Sequence, residues 1–198
     1  MTEMRSAAQE AAEDIFFGQS VIIWARWFVI ITGVVVVLWS SSTAAELTAA
    51  VLMIVPLIAV NFFVHGRYLM EKPINQGLLL GLSLVDLVVI TLIVLFWGES
   101  HGFMSPFFIF YYPILLAFAF VFALRISVSY TLLTLVLYTI ACLVSGTGVL
   151  TDMFQLEGLI IRLITLGTMG GLGAFYWRIQ RGRRRAPTGR SQAAPVGP

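Results

Sequence analysis

The chain has 198 residues, 59% of them hydrophobic and only 11% charged, with a mean hydropathy of +0.94. That leaves too little polar surface for a water-soluble domain, and the apolar runs are continuous rather than alternating, which argues against a β-barrel. The net charge of +2 is small, and one cysteine, Cys142, permits neither a disulfide within the chain nor a cysteine metal cluster.

Residues 1–20 are polar and acidic, with Glu3, Glu10, Glu13 and Asp14 against Arg5. A secretory signal opens on a basic region, so this segment is read as cytoplasmic or interfacial, with residues 6–17 as a short surface helix. A membrane domain over 21–178 follows. Its first span, 21–39, starts with Trp24, Arg26 and Trp27, an interface anchor in which Arg26 snorkels to headgroups. The second span, 47–64, carries Asn61 and Pro56, and the proline predicts a kink.

The third span, 76–97, has Gly77 and Gly81 at the spacing of a helix-packing stripe. Gln76, Ser83 and Asp86 share one of its faces. After the Gly/Ser/His turn, the fourth span runs over 106–124 with a bend expected at Pro113, and the fifth over 127–144. The sixth, 156–177, holds Arg162 and the glycines Gly167, Gly170, Gly171 and Gly173. No strand precedes these glycines, so close helix packing is expected rather than a dinucleotide loop. Residues 179–198 are a basic tail without a core-forming pattern, read as disordered.

The fold class is therefore all-α: a polytopic membrane protein of six transmembrane helices. Arg5, Arg26, Arg67, Lys72, Arg125 and the terminal arginines fall on one side, while the opposite loops hold Glu46, Glu99, His101 and Asp152. That asymmetry places both termini in the cytoplasm of a cell whose inner membrane the chain crosses. The arginine cluster reads as a topology determinant and a contact for anionic lipid, not for nucleic acid.

Two groups of residues carry chemistry. A carboxylate at bilayer depth costs roughly 2.5–3.5 kcal/mol on insertion scales, so Asp86 needs a partner or a task. Arg162 lies within about one helical turn of its depth, so the two are expected to form a buried polar pair, or each to face a polar gap alone. The second group is the hairpin between spans three and four: Trp97, His101, Gly102, Ser105, Pro106, Phe107, Tyr111 and Tyr112. A flat ring such as a quinone headgroup fits such a rim; an ordinary aromatic belt at the water interface is the alternative. Haem between the two histidines is excluded, since His65 and His101 sit at opposite surfaces, about 30 Å apart. No metal-ligand cluster, phosphate loop or nucleophile motif is present, so no catalysis and no metal are expected.

Arg26-Trp27, then Asn61, then Asp86 followed by Thr91, then HGFMSPF over 101–107 and Tyr111-Tyr112-Pro113, make an ordered set. Over about residues 24–177 this resembles the six-helix membrane sensor domain of PilS- and RegB-type sensor histidine kinases. In the redox-sensing RegB type, a Gly-Gly-x-x-Asn-Pro-Phe turn is associated with ubiquinone. Here Gly102, Pro106 and Phe107 match, while His101 and Ser105 stand in place of Gly and Asn. The Ser-Pro-Phe form is nearer the PilS type, whose membrane domain senses a protein partner. No histidine follows span six, so no phosphoacceptor is expected in this chain, which is then a stand-alone relative of the sensor domain or a piece of a longer protein. The resemblance implies a sensory or regulatory module that reads a quinone-like ligand or a protein at the hairpin. An accessory subunit of a larger respiratory or photosynthetic complex is the second reading. Membrane lipids, another membrane or cytoplasmic protein, and a second copy in a homodimer are the partners these readings call for.

Overall fold

The computed structural model describes residues 2–41, 43–72, 74–97, 101–146 and 149–184, with side chains between 16 and 179 except 40 and 177. The 179–198 tail expected from sequence lies for the most part outside the described residues. All elements described are helical: α1 (Thr2–Ser40), α2 (Ala44–Leu69), α3 (Gln76–Phe96), two 3-10 segments (Gly102–Met104 and Pro106–Phe110), α4 (Tyr111–Val121), α5 (Leu124–Val144) and α6 (Met153–Arg184). Five of these hold stretches long and apolar enough to cross a membrane: Phe16–Trp39, Ala44–Leu69, Gln76–Phe96, Leu124–Val144 and Met153–Tyr176. The chain is a multi-pass membrane protein by that criterion.

The fourth of the six expected spans is the shorter apolar segment Pro106–Val121. Its first part is 3-10 rather than α. At about 2.0 Å per residue the 3-10 part adds roughly 10 Å to the roughly 17 Å of α4, close to but below the ~30 Å of hydrocarbon. Pro113 sits in the first turn of α4, just after the change from 3-10 to α. Pro56 lies inside α2, which continues past it to Leu69. The surface helix expected over 6–17 is not a separate element but the first part of α1, continuous with the first span.

Side chains fix several helix starts. Thr43 accepts from the Glu46 N–H at 3.3 Å, Asn75 Oδ1 from Gly77 N–H at 3.0 Å and Asp152 Oδ1 from Phe154 N–H at 3.0 Å. Each oxygen satisfies a donor that the first turn leaves open.

α4 is the axis of the bundle, touching α1, α3, α5 and α6, whereas α2 packs chiefly on α1. Two glycines of α6 explain its close approach to its neighbours. A Cβ at Gly170 would collide with Thr131 of α5, and one at Gly173 with Ala119 of α4. Gly171 has no neighbour within 4 Å of such a Cβ, so only part of the glycine-rich stretch packs as expected. Among the described residues, a Cβ at Gly81 would have no neighbour within 4 Å and one at Gly77 would meet only its own cap, Asn75, so neither glycine makes a close helix contact.

At the end of the bundle that holds the α2–α3 link, Gln19 is fully buried. Its Nε2 donates to Val64 O at 3.4 Å and its Oε1 accepts from Ile74 N–H at 3.2 Å. One side chain thus ties α1 to the end of α2 and to the start of α3. Trp27 Nε1 donates to His65 Nδ1 at 3.1 Å, and Phe16 stacks on Tyr68 at 4.5 Å between centroids, so α1 and α2 run antiparallel.

Candidate functional site

Asp86 lies halfway along α3 and meets a cation from α1. Arg26 Nη2 stands 3.0 Å from Asp86 Oδ1, and the two side chains are 4% and 9% exposed. This corrects two expectations. Arg26 does not snorkel to the surface, because α1 enters the apolar region at Phe16, ten residues earlier, and carries Arg26 to the depth of Asp86. Asp86 does not pair with Arg162, because the nearer guanidinium has already taken its carboxylate. Gln76, expected on the same face as Ser83 and Asp86, is exposed while the other two are buried.

Arg162 is held instead by neutral groups. Its Nη1 donates to Phe103 O of the first 3-10 segment and to Tyr138 Oη of α5 at 2.9 Å. Its guanidinium carbon lies over the Phe103 and Phe108 rings, 4.3 and 4.0 Å from their centroids. Ring faces and two oxygens together lower the cost of a half-buried cation. Arg162 is therefore a staple that fastens the hairpin to α5 and α6.

The hairpin residues proposed from sequence do not form one rim. Gly102 has φ +57°, and a Cβ there would strike Ser145 Oγ and approach Ala141 O, so only glycine fits against α5. Ser105 is fully buried and caps the second 3-10 segment by accepting from Phe107 N–H at 3.4 Å. Tyr111 is fully buried too, its hydroxyl 2.9 Å from Thr91 Oγ1. Thr91 spends its one hydroxyl proton on Leu87 O at 2.7 Å, so Tyr111 is the donor of the pair. Tyr112 packs edge-on against Phe108, Pro106 is exposed, and His101 is half-buried with no partner for Nδ1. Of these residues, Trp97 and Phe107 line one cleft together.

That cleft is bounded by α1, α2, α3 and the hairpin, narrow inside and open at its mouth. Its walls are apolar: Val37, Met53, Leu57 and Ile93 among them, with Trp97 and Phe107 at the hairpin end. Arg26 and Asp86 are its only charged lining. Arg26 Nη1 has no hydrogen-bond partner, and neither does the fully buried side-chain amide of Asn61 one turn beyond Leu57. Among the described residues no three His, Cys, Asp or Glu side chains gather as a metal site.

The sequence reading made Arg26 an interface anchor, gave Asn61 no task of its own, and missed Gln19, Tyr130 and Tyr138. Tyr130 donates to Ser83 O at 2.8 Å and joins α5 to α3. The one available signal for Arg26 was the apolar start at Ile15-Phe16-Phe17, which sets its depth. No family model, no curated protein and no solved structure matches the chain.

Proposed function

We propose that the chain is a non-catalytic sensory or regulatory membrane module, similar in kind to the membrane sensor domain of PilS- and RegB-type kinases. In this reading it has six spans in the inner membrane, with the α1 N-terminus and the α6 C-terminus in the cytoplasm. The hairpin is the input, read by a quinone-like ligand or a protein partner. One observation carries this. The segment 101–112 is tied to the bundle at three places: Gly102 against α5, Phe103 O to Arg162 of α6, and Tyr111 to Thr91 of α3. Any molecule that displaces the hairpin must act on three helices at once, and two packings bound unequally are what a sensor needs.

The test is mechanical. Spin labels at positions 67 and 178, near the cytoplasmic ends of α2 and α6, report their separation in bilayers. Arg162→Gln unfastens the hairpin and is expected to shift or broaden that distance while helicity stays at the parent value. An unchanged distance distribution overturns the sensor reading.

A second reading, an accessory subunit of a larger membrane assembly, draws on the Gly77/Gly81 stripe, whose two glycines meet no other helix closely among the described residues. Small residues of this spacing suit another helix at close range. Mild extraction separates the two: a large assembly of fixed stoichiometry favours the subunit.

A further inference from the structure

We infer that the cleft between α1, α2 and α3 is a binding site for a neutral amphiphile that has a carbonyl head and an apolar tail. The head lies at mid-bundle on Arg26 and the tail runs toward Trp97. This deepens the sensory reading by moving the ligand from the hairpin surface to the bundle interior.

Two observations fit together. The cleft is lined by apolar side chains from Arg26 to Val37 on α1 and from Asp86 to Trp97 on α3. Eleven residues on each helix give a length of roughly 16 Å, which suits an extended tail. At its inner end, Arg26 uses Nη2 on Asp86 and leaves Nη1 without a partner at 4% exposure. A buried donor left unmade is costly, and a ligand oxygen relieves it.

The charge of the head follows from the pair. Asp86 already neutralises Arg26, so an anionic head would bring a second carboxylate to a site with one cation. A neutral carbonyl accepts from Nη1 without that repulsion. Access is sideways: α2 holds mainly to α1, and Gly33, which lines the cleft, has open space where a Cβ would stand.

Such a carbonyl belongs either to a ring, as in a quinone, or to an acyl ester, and the probes separate these. The full chain in nanodiscs is equilibrated with decylubiquinone, methyl palmitate or hexadecane, and bound probe is counted. At least one carbonyl probe is expected to bind about tenfold more tightly than hexadecane, and whichever binds names the source. Equal binding of all three, or no binding, overturns the proposal.

Two variants locate the site. Gly33→Phe fills the cleft from a position with room and is expected to abolish uptake with helicity intact; undiminished uptake overturns the site. Arg26→Met with Asp86→Leu replaces the ion pair by apolar groups, a change that buried pairs often tolerate. It is expected to erase the preference for carbonyl over hexadecane, and a preference that survives overturns the head assignment. A parent chain that binds no carbonyl probe removes the cleft but not the sensor, which stands or falls on the label distance.

Discussion

Removing the carboxylate of Asp86 strands Arg26 at a site that is 4% exposed, and an uncompensated buried charge costs about 3–5 kcal/mol. Asp86→Asn is therefore expected to lower the melting temperature in detergent substantially, while Arg26→Met with Asp86→Leu stays near the parent. Arg162 shares no partner with Asp86. Arg162→Gln and Asp86→Asn should then add in the double mutant, and a rescue of one by the other would restore the pairing first read from sequence. That misreading has a physical source. Depth was counted from residue 21, but the apolar stretch of α1 begins at Phe16, which moves Arg26 inward by more than a helical turn. The need of Asp86 for a partner was legible, because insertion cost is a local property. Which arginine supplies it depends on where a helix enters, and sequence marks such boundaries poorly.

At the scale of elements, the hairpin was legible as a turn but not as a packed one. Gly102 and Pro106 read correctly as residues of a turn and a helix start. Nothing local says that Phe107, Phe110 and Tyr111 point into the bundle, since aromatic residues serve a membrane interface equally well. The glycines sort the same way: equal in sequence, they differ in what stands opposite them. Gly102→Ala forces a side chain into the left-handed region and into Ser145. A loss of at least ~1–2 kcal/mol is expected from the backbone alone. Gly81→Ala meets nothing and gains up to ~1 kcal/mol of helix propensity. Thermal melting of the two variants in one detergent checks both signs. Equal effects would mean that the close contact at Gly102 does not hold in the folded protein.

For the whole molecule, the proposed topology sets opposite labels at its two ends. Cysteines at positions 41, 101 and 152 should react with an impermeant reagent from outside intact cells, and those at 66 and 125 only after permeabilisation. Labelling of position 101 from the cytoplasmic side would remove the six-span arrangement. Five spans were legible from apolar length, because long continuous runs admit no other solution in hydrocarbon. The further span proposed, Pro106–Val121, was harder because its reach depends on a 3-10 start that composition does not encode. Gln19 was invisible for a related reason. A fully buried glutamine at the edge of an apolar run reads as surface until its two backbone partners, 45 and 55 residues away, are in place.

The length of α1 has a mechanical meaning. It is one helix of 39 residues, and its apolar stretch starts only at Phe16. The 14 residues before that, Thr2 to Ile15, make a rod of roughly 21 Å that shares an axis with the buried half. α6 overshoots its own apolar stretch in the same way, from Tyr176 to Arg184. A tilt of about 5° at the level of Arg26 would swing the tip of α1 by about 3 Å, since the arm from Arg26 to Thr2 is roughly 36 Å long. A shift of about 1 Å at Gln19, seven residues from Arg26, thus becomes a displacement of about 3 Å at the tip.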